Sequence, residues 1–361
     1  MANYKQRLTA DLDRWIAAGH VAAEKRQHIL DSVPDPRRLD AASALAWVGG
    51  VLLGIAIIAF IAANWEGMSR LVRFVCVLSV FAAAIAAAAW TTHRGQTGAA
   101  NGLLAFASIV FAAAIGLTGQ IFDIAGDPRA ALYTAGVAAA LLSAAGRSTG
   151  AAIAALVLIG CADFQGIDFR TDEGFDMPGL VIAAPLGAWA ALRWGSTPLA
   201  HVAALGIIYS FAWFAFRSEP SAGSLLFLCI WLAALAAGAR WLRGEGREFA
   251  SVFYGWFAWA ALMFFALAGY ARFDGGGFTD DGLGVLHRLV WLVLSGAVIA
   301  LGRFDRHNLV TTSGILSIVG AIAALLMDLG LDLMTAAAIF FVGAILALLF
   351  GLALRRKEKT S

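Results

Sequence analysis

From residue 44 onward the chain alternates long apolar runs with short polar knots. Val48 to Ala63 carries no charged side chain, Asn64-Trp65-Glu66 and the residues up to Arg70 interrupt it, and Leu71 opens the next run. A helix needs about 20 apolar residues to cross the hydrocarbon core of a bilayer. Runs of roughly that length recur at 44–63, 71–90, 102–122, 129–145, 149–162, 179–192, 198–216, 223–239, 250–270, 285–301, 309–327 and 333–354. The pattern predicts an all-α, polytopic transmembrane helical bundle of about 12 spans, or about 10 if the fifth and sixth are re-entrant. That pair is short, and Pro185 lies inside the sixth.

Ahead of the first run the periodicity changes. Leu8, Leu12, Trp15 and Ile16 fall on one face of a short helix, and Val21, Ile29, Leu30 and Val33 supply a second, with Gly19 as the break. Lys5, Arg7, Arg14, Lys25 and Arg26 cover the other faces. Residues 1–40 therefore read as a cytoplasmic helical hairpin and linker, 41–354 as the transmembrane bundle and 355–361 as a basic tail. The hairpin has two readings: a surface element lying on the membrane or bundle, or a module that docks a cytoplasmic protein partner through residues 1–33.

Composition sharpens this picture. The 361 residues are 61% hydrophobic and 14% charged, against roughly 25% charged in a soluble domain. A net charge of +2 spread along the chain gives no footing for nucleic acid. Cys76, Cys161 and Cys229 sit singly in separate runs, so they read as small core residues rather than a disulfide or metal framework. The polar first residues do not read as a cleavable signal peptide. Abundant Ala, Gly and Arg with few Lys fit a bacterial inner-membrane protein. About 19 of the 26 Lys and Arg fall on the side of the two termini, among them Arg94, Arg147, Arg193, Arg243 and Arg306. Positive-inside reasoning makes both ends cytoplasmic.

The candidate chemistry lies at the other side. Ala46, Gly50 and Gly54 on the first span and Ser108, Ala112 and Gly116 on the third recur every four residues, a device that lets helices approach closely. If those faces pack, Asn64, Trp65, Glu66, Gln120, Asp123 and Asp127 form an outward-facing ligand-binding cluster, with Arg70, Arg73 and Arg129 to balance its charge. Polar groups at membrane depth call for a reason. Each also has an ordinary reading: Trp65 as an interfacial anchor, Asn64 as a C-cap, Asp127 before Pro128 as an N-cap, and the acid–arginine pairs as loop ion pairs. Thr197-Pro198 and Asp332 read as further N-caps. The six histidines show no HxxxH or HExxH spacing, and no GxxxxGK[ST] or GxSxG occurs. No cofactor, metal or catalytic residue is expected, and the chain does not read as an enzyme.

The order Trp15-Ile16-Ala17-Ala18-Gly19, Ala63-Asn64-Trp65-Glu66, Gly119-Gln120-Ile121-Phe122 and Gly126-Asp127-Pro128 resembles a family of bacterial predicted membrane proteins, domain-of-unknown-function family 2157, over about residues 1–150. His20 stands where that family usually has an apolar residue. The resemblance implies a polytopic membrane protein with a small cytoplasmic N-terminal part and assigns no chemistry. Two functional expectations follow from the residues: binding or transport of a small molecule or lipid at the outward polar cluster, or anchoring of an interaction or assembly module carried by the hairpin.

Overall fold

The computed structural model describes residues 4–32, 67–122, 126–165, 177–216, 221–247, 249–271 and 283–328, with 334, 335, 338 and 341 beyond them. The expected first span and nearly all of the last lie outside these residues. The chain divides into two units, Met1–Ser69 and Arg70–Ser361.

In the first unit α1 runs Tyr4–Ala17 and α2 Lys25–Ser32. Gly19 closes α1 in the left-handed region, φ +73°, where the absence of a Cβ removes the usual penalty. The His20 N–H then donates to Trp15 O at 2.9 Å. On the amphipathic face Leu12 is fully enclosed and Leu30 buried, whereas Trp15 is 45% exposed. Arg26 Nε donates to Asp13 Oδ1 at 2.8 Å, linking the two helices. That hydrogen bond holds the Asp13 carboxyl below its ordinary range.

The second unit contains α3 (Arg70–His93), α4 (Thr97–Phe122), α5 (Pro128–Gly146), α6 (Thr149–Gln165), α7 (Leu180–Trp194), α8 (Thr197–Phe216), α9 (Ala222–Gly244), α10 (Ala250–Ala271), α11 (Leu283–Phe304) and α12 (Asn308–Asp328). These fall on the ten described spans expected from the pattern. Eight are long and apolar enough to cross a membrane. The other two, α6 with 17 residues and α7 with 15, are shorter, about 25 and 22 Å at 1.5 Å per residue. Pro185 does not interrupt α7.

Five tight turns of two to five residues join α3 to α4, α5 to α6, α7 to α8, α9 to α10 and α11 to α12. Each turn places one residue in the left-handed region: Gly95, Arg147, Gly195, Gly246 and Arg306. In each, a backbone N–H reaches back to a carbonyl of the preceding helix, as Ser148 N does to Ser143 O and Ser196 N to Ala191 O. Ser148 and Ser196 then start the next helix, their Oγ atoms accepting from Ala151 N at 3.2 Å and Leu199 N at 3.4 Å. The cap of α8 is therefore Ser196, one residue before the expected Thr197, because Gly195 ends α7 immediately ahead of it.

The strongest packing is within these five hairpins. The second member of each, α4, α6, α8, α10 and α12, also touches the next, so those helices form a continuous row and the first members lie along its flank. Burial follows: 61% of the apolar stretch of α10 is buried against 11% of that of α3. The main core joins α6, α7, α8, α9 and α10 around Leu156, Leu199, Tyr254 and Phe264. Outward faces carry Leu71, Ile109, Leu141, Ile182 and Val293, which a hydrocarbon solvent leaves at no cost. Cys161 is exposed on α6, and Cys76 and Cys229 are partly so, which corrects their reading as core residues: they face the apolar surroundings, where a thiol is equally at ease.

Candidate functional site

The antiparallel hairpins give the second unit two ends: one holding the five tight turns, and one holding the other connections, at residues 123–127, 166–179, 217–221 and 272–282. Of the sequence-derived cluster, Gln120 and Asp127 lie at the latter. Asn64, Trp65, Glu66 and Asp123 lie outside the described residues, so the pairing of the first and third spans is not among the described contacts. Gln120 is in the last turn of α4. Asp127 is exposed and caps α5, its Oδ1 accepting from Arg129 N at 2.9 Å with Pro128 at N1. Its carboxylate does the capping work expected of it.

What gathers beside Asp127 is a network the linear pattern did not offer. Asp163 is helical near the end of α6, just past the expected span 149–162, and only 3% exposed. A buried carboxylate must be hydrogen-bonded or it destabilises the fold. Asp163 Oδ1 accepts from Gly179 N at 2.7 Å, Oδ2 from Leu180 N at 2.9 Å, and the Tyr133 hydroxyl donates to Oδ1 as well. The side chain thus fills the orphan N–H positions at the start of α7, where a carboxylate is favoured by the helix dipole. Arg129 Nη2 donates to the Tyr133 hydroxyl at 3.4 Å, with its guanidinium carbon 5.5 Å from the tyrosine ring. The buried Tyr209 hydroxyl on α8 has no hydrogen-bond partner among the described residues.

One residue beyond Leu180 an apolar cleft begins. Val181 and Pro185 of α7, Ile207, Ser210, Phe211 and Phe214 of α8, and Ser224, Phe227, Leu228 and Trp231 of α9 line about 520 Å³. The floor is α8, and the walls are α7 and α9, which the row arrangement leaves apart. Phe227 and Trp231 are more than half exposed at its edge. The cleft is of a size that accommodates small ligands, and its lining offers two hydroxyls, the Trp231 indole and otherwise hydrocarbon side chains.

A second polar group lies at the same end in α10 to α12. Arg288, 0% exposed, donates from Nε to Asp328 Oδ2 at 3.0 Å and sits 4.5 Å from the Tyr270 ring centre and 5.7 Å from that of Trp291. Arg288 is thus a fully buried charge within the expected span 285–301. Gly269 makes the space: a Cβ there would lie 2.5 Å from His287 and 2.6 Å from Arg288 Nη1. Trp291 Nε1 donates to Ser317 Oγ at 2.7 Å, and Ser295 continues the chain at 2.8 Å.

At the tight-turn end, Arg240 grips Asp305 through Nε and Nη2 at 2.6 and 2.9 Å, the Tyr254 hydroxyl donates to Asp305 Oδ2 at 2.9 Å, and Arg243 Nη2 donates to Asp305 O at 2.8 Å. The Arg240 hydrogen bond, aided by Tyr254, keeps the Asp305 carboxyl below its ordinary range despite its burial. His307 Nε2 lies 2.9 Å from Ser251 O while Nδ1 accepts from Val310 N at 3.3 Å, which puts its proton on Nε2. Among the described residues no group of three His, Cys, Asp or Glu is placed to hold a metal.

Residues 13–152 match the model of a family described as predicted membrane protein (DUF2157). The match covers the stretch that carries the resemblance. No curated protein and no solved structure matches the chain. The chain is a membrane protein, built on several helices able to span the bilayer.

Proposed function

We propose that this is a twelve-span inner-membrane protein, both termini cytoplasmic, that binds an apolar or lipid-like small molecule from the outer half of the bilayer as a carrier or sensor rather than an enzyme. The observation that carries the reading is the open cleft between α7 and α9, which begins one residue from the Arg129–Tyr133–Asp163 network. Its carbon-rich walls suit an apolar body, and the neighbouring hydroxyls and guanidinium suit a polar head. The sequence-derived cluster of Asn64, Trp65, Glu66, Gln120, Asp123 and Asp127 is kept as a separate candidate, a polar rim whose assembly the cross-link below tests.

A photoreactive lipid carrying a diazirine in its acyl chain, incorporated with the full-length protein in nanodiscs, tests the cleft. Adducts should concentrate at residues 207–214 and 224–231 and fall severalfold in Leu228→Trp, which fills the space. Equal labelling of α3 and α9 would sink the reading. Asn64→Cys with Gln120→Cys, in a background without the native cysteines, should cross-link if the rim is assembled; absence of the cross-link removes the rim.

The alternative, an interaction module acting through α1 and α2, is favoured by one observation: these helices belong to the unit Met1–Ser69 rather than to Arg70–Ser361, and Trp15 on them is 45% exposed. Deleting residues 1–33 separates the two. Cleft labelling survives under the first reading, whereas capture of a cytoplasmic partner is lost under the second.

A further inference from the structure

Each tight turn of the second unit has an arginine within it or just before it, but one cavity gathers three. Arg147 of the α5–α6 turn, Arg193 of the last turn of α7 and Arg247 of the α9–α10 turn line about 480 Å³ together with Trp189, Leu192, Trp194 and Leu242. None of the lining residues is acidic. Among the described residues none of these three arginines forms an ion pair, in contrast to Arg240 on the same helix α9 as Leu242, whose charge is met by Asp305. The Arg193 guanidinium lies 5.8 Å from the Trp189 ring centre, a cation–π contact that steers it without neutralising it.

Three exposed guanidiniums line one space with no carboxylate among them, so an anion seated there meets three cationic donors. The guanidinium fork matches phosphate oxygens in particular. The rest of the lining says what is attached to the anion. Trp189 is 60% exposed, and indole rings settle at the headgroup level of a bilayer. Along α7, Val181, Pro185, Trp189 and Arg193 recur every fourth residue, so one stripe leads from the apolar cleft to the arginines. A free anion would have no use for that stripe, whereas an acyl chain would follow it.

We propose that this cavity binds the phosphate headgroup of an anionic phospholipid from the leaflet at the tight-turn end, with an acyl chain laid along α7. The acyl-chain path shares Val181 and Pro185 with the apolar cleft, but the headgroup site stands on the three arginines and Trp189 and does not rest on the reading given above for the outer end.

The full-length protein, released from nanodiscs of phosphatidylcholine containing a minor fraction of phosphatidylglycerol, is read by native mass spectrometry for retained lipid. Phosphatidylglycerol should be retained in preference to phosphatidylcholine. Each of Arg193→Gln, Arg247→Gln and Arg147→Asn, the last chosen because asparagine tolerates the left-handed backbone, should lower that preference about 5-fold. Arg303→Gln with Arg306→Asn, exposed on another turn, should leave it unchanged. No preference in the wild type, or an equal loss in the Arg303/Arg306 pair, overturns the proposal, as does displacement of the lipid by millimolar inorganic phosphate in the wild type. For a variant that fails to fold, quenching of Trp189 in the wild type decides: brominated phosphatidylglycerol should quench the tryptophan signal lost in Trp189→Leu more than brominated phosphatidylcholine does, and equal quenching refutes the site.

Discussion

Asp305 accepts three hydrogen bonds from α9 and α10 with its carboxylate while its carbonyl takes a fourth from Arg243, so one residue at the end of α11 ties three helices together at the tight-turn end. Asp305→Asn removes the charge that meets Arg240 and should cost about 2 kcal/mol in detergent unfolding, the usual worth of hydrogen bonds to a charged group. The pH dependence has a definite sign. The folded carboxyl titrates below its ordinary value, so its stabilisation is complete above the unfolded carboxylate range, about pH 4, and is lost as pH falls through the lower folded value. Wild-type melting temperature should therefore drop on acidification below about pH 4, and that component should be missing in Asp305→Asn. Gly269 is the second telling residue. Gly269→Ala drives a methyl into part-buried His287 and fully buried Arg288, and a loss of about 1 to 3 kcal/mol is expected by the same unfolding assay.

Among elements, α11 and α12 show how small residues let membrane helices close. A Cβ on Gly314 would lie 2.7 Å from Ile299 Cγ1 and 2.9 Å from Ser295 O, so Gly314→Leu should separate the pair and break the Trp291–Ser317–Ser295 chain. Disulfide trapping between α11 and α12 should fall in that variant while trapping between α9 and α10 persists. The elements themselves were legible in the sequence, because a bilayer demands long apolar runs and the runs are unmistakable. Gly19 and Asp127 were legible too, since left-handed closure and N-capping are local events. Asp163 was not: its partners Tyr133, Gly179 and Leu180 are brought to it by folding across a stretch that reads as loop. Arg288 escaped for a related reason. One charge five residues inside a span looks like a boundary, and only Gly269, Tyr270 and Asp328 converging on it make it an interior residue. The outward cluster drawn from the sequence remains a proposal, since most of it lies outside the described residues.

For the whole molecule the sidedness is directly testable. Reporter fusions at Asp172 and Arg243 should report the outside and the cytoplasm respectively, and the reverse pattern would invert the map and move the arginine cavity to the outer leaflet. The row of hairpins carries a consequence for biogenesis. Where a turn of two or three residues ends one helix and caps the next, neither helix has slack to wait for the other, so the pair is expected to leave the translocon together. Truncations that fall between pairs, near residues 125, 170, 219 or 277, should then yield membrane-integrated fragments, whereas cuts at 95, 147 or 195 should strand a lone helix and be degraded. Pulse-labelled nascent chains of graded length would show stepwise integration in units of two.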